Sequence, residues 1–158
     1  MPKNDAAAPA RSTSSSRVRI FTSFDPENDQ DLYEKLVVDS RSRGSGFEIS
    51  ARSDAEAMTE RWEEKVRHRI RDVDEVIVIC SEHTDASSRV STELRIAQEE
   101  EKPYFLLWGR RASMCTKPTG ARPADGIYSW TQEILRNQVI VTIRDARPLE
   151  IPEAARRP

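Results

Sequence analysis

The chain has 158 residues, 37% of them hydrophobic and 33% charged, enough for one domain that buries roughly 70% of its unfolded surface. Its 25 Lys and Arg stand against 27 Asp and Glu, a formal charge of -2, so no overall field argues for nucleic-acid or membrane binding. Two cysteines and two histidines at unrelated spacing make neither a disulfide framework nor a zinc site, no window reaches the roughly 20 apolar residues of a spanning helix, and a reducing cytoplasm is the expected location.

Residues 1–16, rich in Ala, Ser and Pro with almost no apolar bulk, are expected to form a disordered tail; the Ala6–Ala10 stretch is too short and broken for a signal-peptide core. The domain is expected over 17–145, with 146–158 a flexible C-terminal tail. Val18–Phe24 reads as the first strand, and Asp25–Asp29 as the turn after it. Leu32, Tyr33, Leu36 and Val37 share one helical face, closed by Gly44-Ser45-Gly46. Phe47–Ile49 is a short strand, Ser50–Asp54 a polar loop, and Trp62, Val66 and Ile70 the apolar stripe of a strongly charged helix.

Val76–Cys80 is the most apolar run, β-branched at four positions, which suits a central strand buried on both faces. Ser81–Ser88 is turn-rich. Val90, Leu94 and Ala97 then restart a helical stripe, with Ser87 or Ser88 placed to cap it. Tyr104–Trp108 makes a fourth strand. The loop Gly109–Gly126 leads to a helix carrying Ile127, Trp130, Ile134 and Leu135, and Val139–Ile143 reads as the last strand. Strands alternating with helices predict an α/β, flavodoxin-like three-layer sandwich with a five-stranded parallel sheet of order 2-1-3-4-5.

In that order the crevice lies beyond strands one and three, where Ser23–Asp29 meets Ser81–Ser88. Glu93 borders the buried stripe of the next helix and is expected to be partly desolvated there; a carboxylate is otherwise an ordinary solvated helix residue. His83 is a loop histidine or a base, and Ser81, His83 and Asp85 are too close in sequence to converge as a triad. No glycine lies between Arg17 and Arg43, which rules out a Rossmann phosphate loop. Asp25 and Asp29 could imitate a receiver's acidic pair. The third strand nevertheless ends without an aspartate and the last carries no lysine.

Phe21–Asp25 with Asn28-Asp29, Trp62–Arg67 with Arg69-Ile70, Glu82-His83-Thr84 and Glu93-Leu94 together resemble the TIR-like family that includes the ThsB proteins of bacterial Thoeris anti-phage systems. The resemblance runs from about Arg17 to Ile143. It implies a TIR-type fold and, as in active members, cleavage of the nicotinamide–ribose bond of NAD as substrate, with no separate cofactor and no metal. Glu93 matches the catalytic acid. Ser23, Phe24 and Asp25 would line the ribose and nicotinamide side, Ser81 and His83 the facing loop, and Arg52 and Ser53 fall in the region of the BB loop.

Arg89 stands where many TIR domains carry tryptophan. It weakens stacking on the substrate, meets a pyrophosphate, or faces solvent on an inactive domain. The resemblance further implies homo-oligomers through TIR contacts and a separate effector reached by a nucleotide signal. Two other classes stay open, a non-catalytic assembly module and an enzyme like the nucleoside deoxyribosyltransferases, which share the fold class and a carboxylate at the ribose.

Overall fold

The computed structural model describes residues 17–146; both expected tails lie outside them, apart from the backbone of Ala146. In chain order the elements are β1 (Val18–Ser23), α1 (Gln30–Ser40), β2 (Phe47–Arg52), α2 (Glu60–Arg71), β3 (Glu75–Cys80), a 3-10 turn (Thr84–Ala86), α3 (Ser88–Glu99), β4 (Tyr104–Trp108), β5 (Ile127–Tyr128) and α4 (Gln132–Ala146). The sheet order is β2-β1-β3-β4-β5 and every neighbouring pair is parallel. This is the expected flavodoxin-like α/β architecture. Among the described residues no helix is long and apolar enough to cross a membrane.

β3 is buried along its whole length, as its β-branched run requires. Val76, Val78 and Cys80 point into one layer with Trp62, Val66 and Ile70 of α2 and Val90, Leu94 and Ala97 of α3. Ile77 and Ile79 point into the other, with Leu32 and Leu36 of α1 and Leu135 and Val139 of α4. Alternate residues of one strand thus divide the core into the two layers that parallel sheets need. Helix starts follow side-chain chemistry: the Thr59 hydroxyl accepts from Trp62 N–H to open α2, and the Ser87 hydroxyl from Val90 N–H to open α3.

β2 is longer than its sequence suggests, so Arg52 is its last residue rather than part of a loop. Its register with β1 slips once, between Ile20 and Phe21. Ile49 therefore packs into the α1/α4 layer while Ala51 packs into the α2/α3 layer. One extra residue, Ser50, turns the rest of the strand over.

The last third corrects the sequence reading. Val139–Ile143 is not a strand but the second half of α4, and Ile127 belongs not to a helix but to β5, only two residues long. Leu135 and Val139 are buried one turn apart, whereas Ile140 is 58% exposed, a helical and not a period-two pattern. With no Gly or Pro from 132 to 146, nothing stops the helix, and tertiary packing overrides the β-branched propensity. Trp130 is in the core as expected, though just ahead of α4.

Candidate active site

Pairing of β1 with β2 brings their carboxyl ends together, and the Ser53 N–H extends the ladder by donating to Thr22 O at 2.9 Å. Ser23 and Ser53 both turn toward α3, and each hydroxyl donates to Oε1 of Glu93 at 2.6 Å. The Ser53 oxygen also accepts from Phe24 N–H at 2.9 Å, which fixes its orientation. Glu93 itself is 0% exposed, deeper than the partial desolvation read from its helical position. Its second oxygen, Oε2, is buried without a partner among the described residues.

Burial raises the Glu93 carboxyl to about 8, against the pull of the Ser23 and Ser53 hydrogen bonds and the charge of Arg89. The acid is accordingly mostly protonated at neutral pH. It is a carboxyl held by two donors on one oxygen, with the other buried and unpartnered among the described residues. Thr22, between Phe21 and Ser23 on β1 and so on the opposite face of the sheet, also has a buried hydroxyl without a partner among the described residues.

Arg89, one helical turn before Glu93, does not face solvent freely. Its guanidinium reaches Asp54 Oδ1 at 3.3 Å and the Glu56 carbonyl at 2.5 Å, and lies 5.0 Å from the Trp62 ring centre. Asp54 is the hub of this corner: it also accepts from Trp62 Nε1 at 3.1 Å and Arg69 at 2.9 Å. Burial works to raise its pKa, but bonds from Arg69, the Glu56 N–H and Trp62 outweigh that and hold it below the usual range. The segment from Ser53 to Thr59 is thereby tied to both α2 and α3.

Beyond these strand ends opens a cleft of about 420 Å³, walled by Asp25, Asn28, Ala55, Met58, His83 and Arg89 among others. A second clamp braces its far side. Arg110, just past β4, pairs with Asp29 at 3.2 Å and Asp31 at 2.9 Å and donates to Asn28 O at 3.0 Å. Asp29 is almost fully buried and also accepts from the Ser81 hydroxyl at 2.7 Å. Burial pushes its carboxyl up, while Ser81 and Arg110 pull it down.

The residues singled out from sequence thus separate into groups. Asp25, His83 and Arg89 line the cleft; Ser23 and Ser53 hold Glu93. Ser81 lies behind the cleft on Asp29. Phe24 is buried and stacked on Tyr33 with centroids 4.9 Å apart, and Arg52 covers that same Tyr33 ring at 5.0 Å, so neither stands in the cleft wall. Sequence reasoning missed Asp54 and Arg110. Asp54 adjoins Ser53, a signal that was available; Arg110 is visible only once the loops meet. No group of three or more His, Cys, Asp or Glu among the described residues could hold a metal ion.

Residues 21–112 match the family model of the Thoeris protein ThsB, TIR-like domain. This span covers more than half of the chain and contains Ser23, Ser53, Arg89, Glu93 and Arg110. No curated protein matches the chain.

Proposed function

This chain belongs to the Thoeris ThsB TIR-like domain family, a family of anti-phage defence, and from that premise we propose that it consumes NAD. The nicotinamide–ribose bond breaks around Glu93, giving an ADP-ribose-type product, linear or cyclic, that signals to a separate effector. The observation that carries this reading is the unpartnered Glu93 Oε2, on the same helix as Arg89 in the cleft wall.

The chemistry asks little of the protein beyond charge placement. The bonding pair of the C1′–N bond leaves with nicotinamide, which becomes neutral, and positive charge develops on the ribose. A carboxylate beside the ring stabilises that charge or accepts from the ribose hydroxyls. With its pKa raised to about 8, Glu93 meets the substrate protonated, and the cationic nicotinamide ring favours its ionisation. Water then captures the ribose carbon and releases a proton, or a nucleophile of ADP-ribose itself closes a ring. Ser23 and Ser53 keep Oε1 occupied and leave Oε2 for substrate.

The test is mass-spectrometric detection of nicotinamide and ADP-ribose species after incubation with NAD, alone and in phage-infected lysate, beside Glu93→Gln. Turnover that vanishes in the variant supports the reading; absence of turnover in both conditions overturns it. A second reading, a non-catalytic assembly module, draws on the complete burial of Glu93 and on the engagement of Arg89 by Asp54 and Trp62. Light scattering distinguishes it, because a scaffold loses assembly and function with Arg52→Ala and is indifferent to Glu93→Gln.

A further inference from the structure

The cleft beside Glu93 takes much of its wall from two loops, with Asp25 and Asn28 from the one after β1 and His83 and Ser87 from the one after β3. A single cation ties both. We propose that Arg110 is a positioning residue that sets the affinity of this cleft for NAD, acting through Asp29 and Ser81 on the two loops. The inference rests on the NAD-consuming reading and divides its tasks: Ser23 and Ser53 serve the reacting bond, Arg110 the binding of the substrate.

Arg110 projects from a fixed base. The Gly109 N–H donates to Cys80 O at 2.8 Å, and a Cβ on Gly109 would come within 2.6 Å of Leu32 and 2.7 Å of that carbonyl. The chain therefore leaves β4 pressed against α1 and β3, closer than a side chain at 109 would allow. The Arg110 carbonyl accepts from Trp108 Nε1 at 2.8 Å and from Cys115 Sγ at 3.7 Å. With its backbone held on both sides, only the outer part of the side chain remains to be ordered.

The guanidinium reaches across β3 to the loop after β1. It donates to Asn28 O at 3.0 Å and pairs with Asp29 at 3.2 Å, while a fork of 2.9 and 3.0 Å to Asp31 anchors it on α1. Asn28 passes the restraint to the cleft wall, since its Nδ2 donates to Asp25 Oδ2 at 2.7 Å. The Asp29 N–H likewise donates to Asp25 O at 2.8 Å. Toward the second loop, the other oxygen of Asp29 accepts from the Ser81 hydroxyl at 2.7 Å, and the Ser81 N–H donates to Thr84 Oγ1 at 2.7 Å. That bond closes the turn that carries His83.

Asp29 makes the two halves depend on one another. It is 1% exposed, and Arg110 is its ion-pair partner. A buried carboxylate that loses its cation is left uncompensated; it takes up a proton or moves toward water, and in either case the loops are no longer held at one spacing. Glu93 is supported separately, by hydroxyls from the ends of β1 and β2. Loss of Arg110 thus degrades the wall and leaves the reacting carboxyl in place.

Steady-state kinetics of nicotinamide release and calorimetric titration with NAD test this on the full chain, with thermal melts to verify folding. Arg110→Gln is expected to raise KM for NAD by about tenfold or more and to change kcat by less than about threefold. In a Glu93→Gln background, where NAD persists, the same change should weaken NAD binding by a similar factor. Arg110→Lys keeps the charge without the fork and should recover part of the loss, while Arg111→Gln, at the exposed next residue, leaves KM unchanged. A merely structural role would lower kcat with the folded fraction and leave KM where it is; that result overturns the proposal, as does NAD affinity insensitive to Arg110→Gln. Wild type that binds NAD more tightly than Arg110→Gln yet releases no nicotinamide overturns the NAD-consuming reading and leaves the role of Arg110 standing. Wild type that does not bind NAD overturns both.

Discussion

Two glutamates are completely buried at opposite ends of the sheet, and they are provided for differently. Glu93, at the carboxyl end, receives two serine hydroxyls on one oxygen and has one oxygen free. Glu75, the first residue of β3 at the amino end, has no partner on either oxygen among the described residues. Burial raises both, Glu93 to about 8 and Glu75 to about 9, where the neighbouring Asp74 adds to the effect. A buried carboxyl alone is therefore a cost that the fold carries. A buried carboxyl with donors aimed at half of it is one whose cost the fold partly offsets.

Breaking the comparison at the site end should give the largest effect: Glu93→Gln is expected to lower NAD turnover at least about 100-fold, as removal of one transition-state contact can, with the melting temperature not reduced. Quantified nicotinamide release and a thermal melt check both halves. At the other end, Glu75→Gln should leave turnover unchanged and stabilise the fold at pH 8 by up to about 5 kcal/mol, with no gain at pH 4.5. Urea denaturation at the two pH values measures it.

The sign follows from linkage. Both groups have folded pKa values above their unfolded values, so the native state holds the extra protons. Their contribution is fully present below about 4.5, declines as pH rises toward about 8 for Glu93 and about 9 for Glu75, and is flat beyond. The double Gln variant should flatten stability across that window.

Smaller effects sharpen the contrast. Ser53→Ala removes one donor to Glu93 and the acceptor of Phe24 N–H; stability should fall by about 1 to 2 kcal/mol and the Glu93 carboxyl should titrate at still higher pH, readable by carbon NMR. Arg89→Gln loosens the tie between Asp54 and α3 and should cost about 1 kcal/mol, because Arg69 and Trp62 still hold Asp54. Chemical denaturation resolves either change.

The same two glutamates show where sequence stops speaking. Glu93 was legible because a helical stripe and a strand order put it at the switch point, although its complete burial was not, since that depends on serines from two other elements. Glu75 was invisible: the strand was begun at Val76, a carboxylate being the least expected start of a fully buried run. The first four strands and three helices followed from unambiguous periodicity. At the C-terminal end the physics was ambiguous, because Val139–Ile143 fits either period and a two-residue β5 leaves no pattern to read. Arg110 escaped notice for a third reason: its partners, Asp29 just ahead of α1 and Asp31 in its first turn, come some 80 residues earlier in the chain.

The slip between β1 and β2 bears on how this protein can change length. Because Ser50 is the residue without a counterpart, its deletion leaves Phe21 opposite Ala51 and Thr22 opposite Arg52, the pairings already present, and keeps the Ser53 hydroxyl on Glu93. An insertion between Ala51 and Ser53 would turn that hydroxyl to the opposite face of the sheet. Relatives should accordingly vary by one residue ahead of Ala51 and hold their length after it.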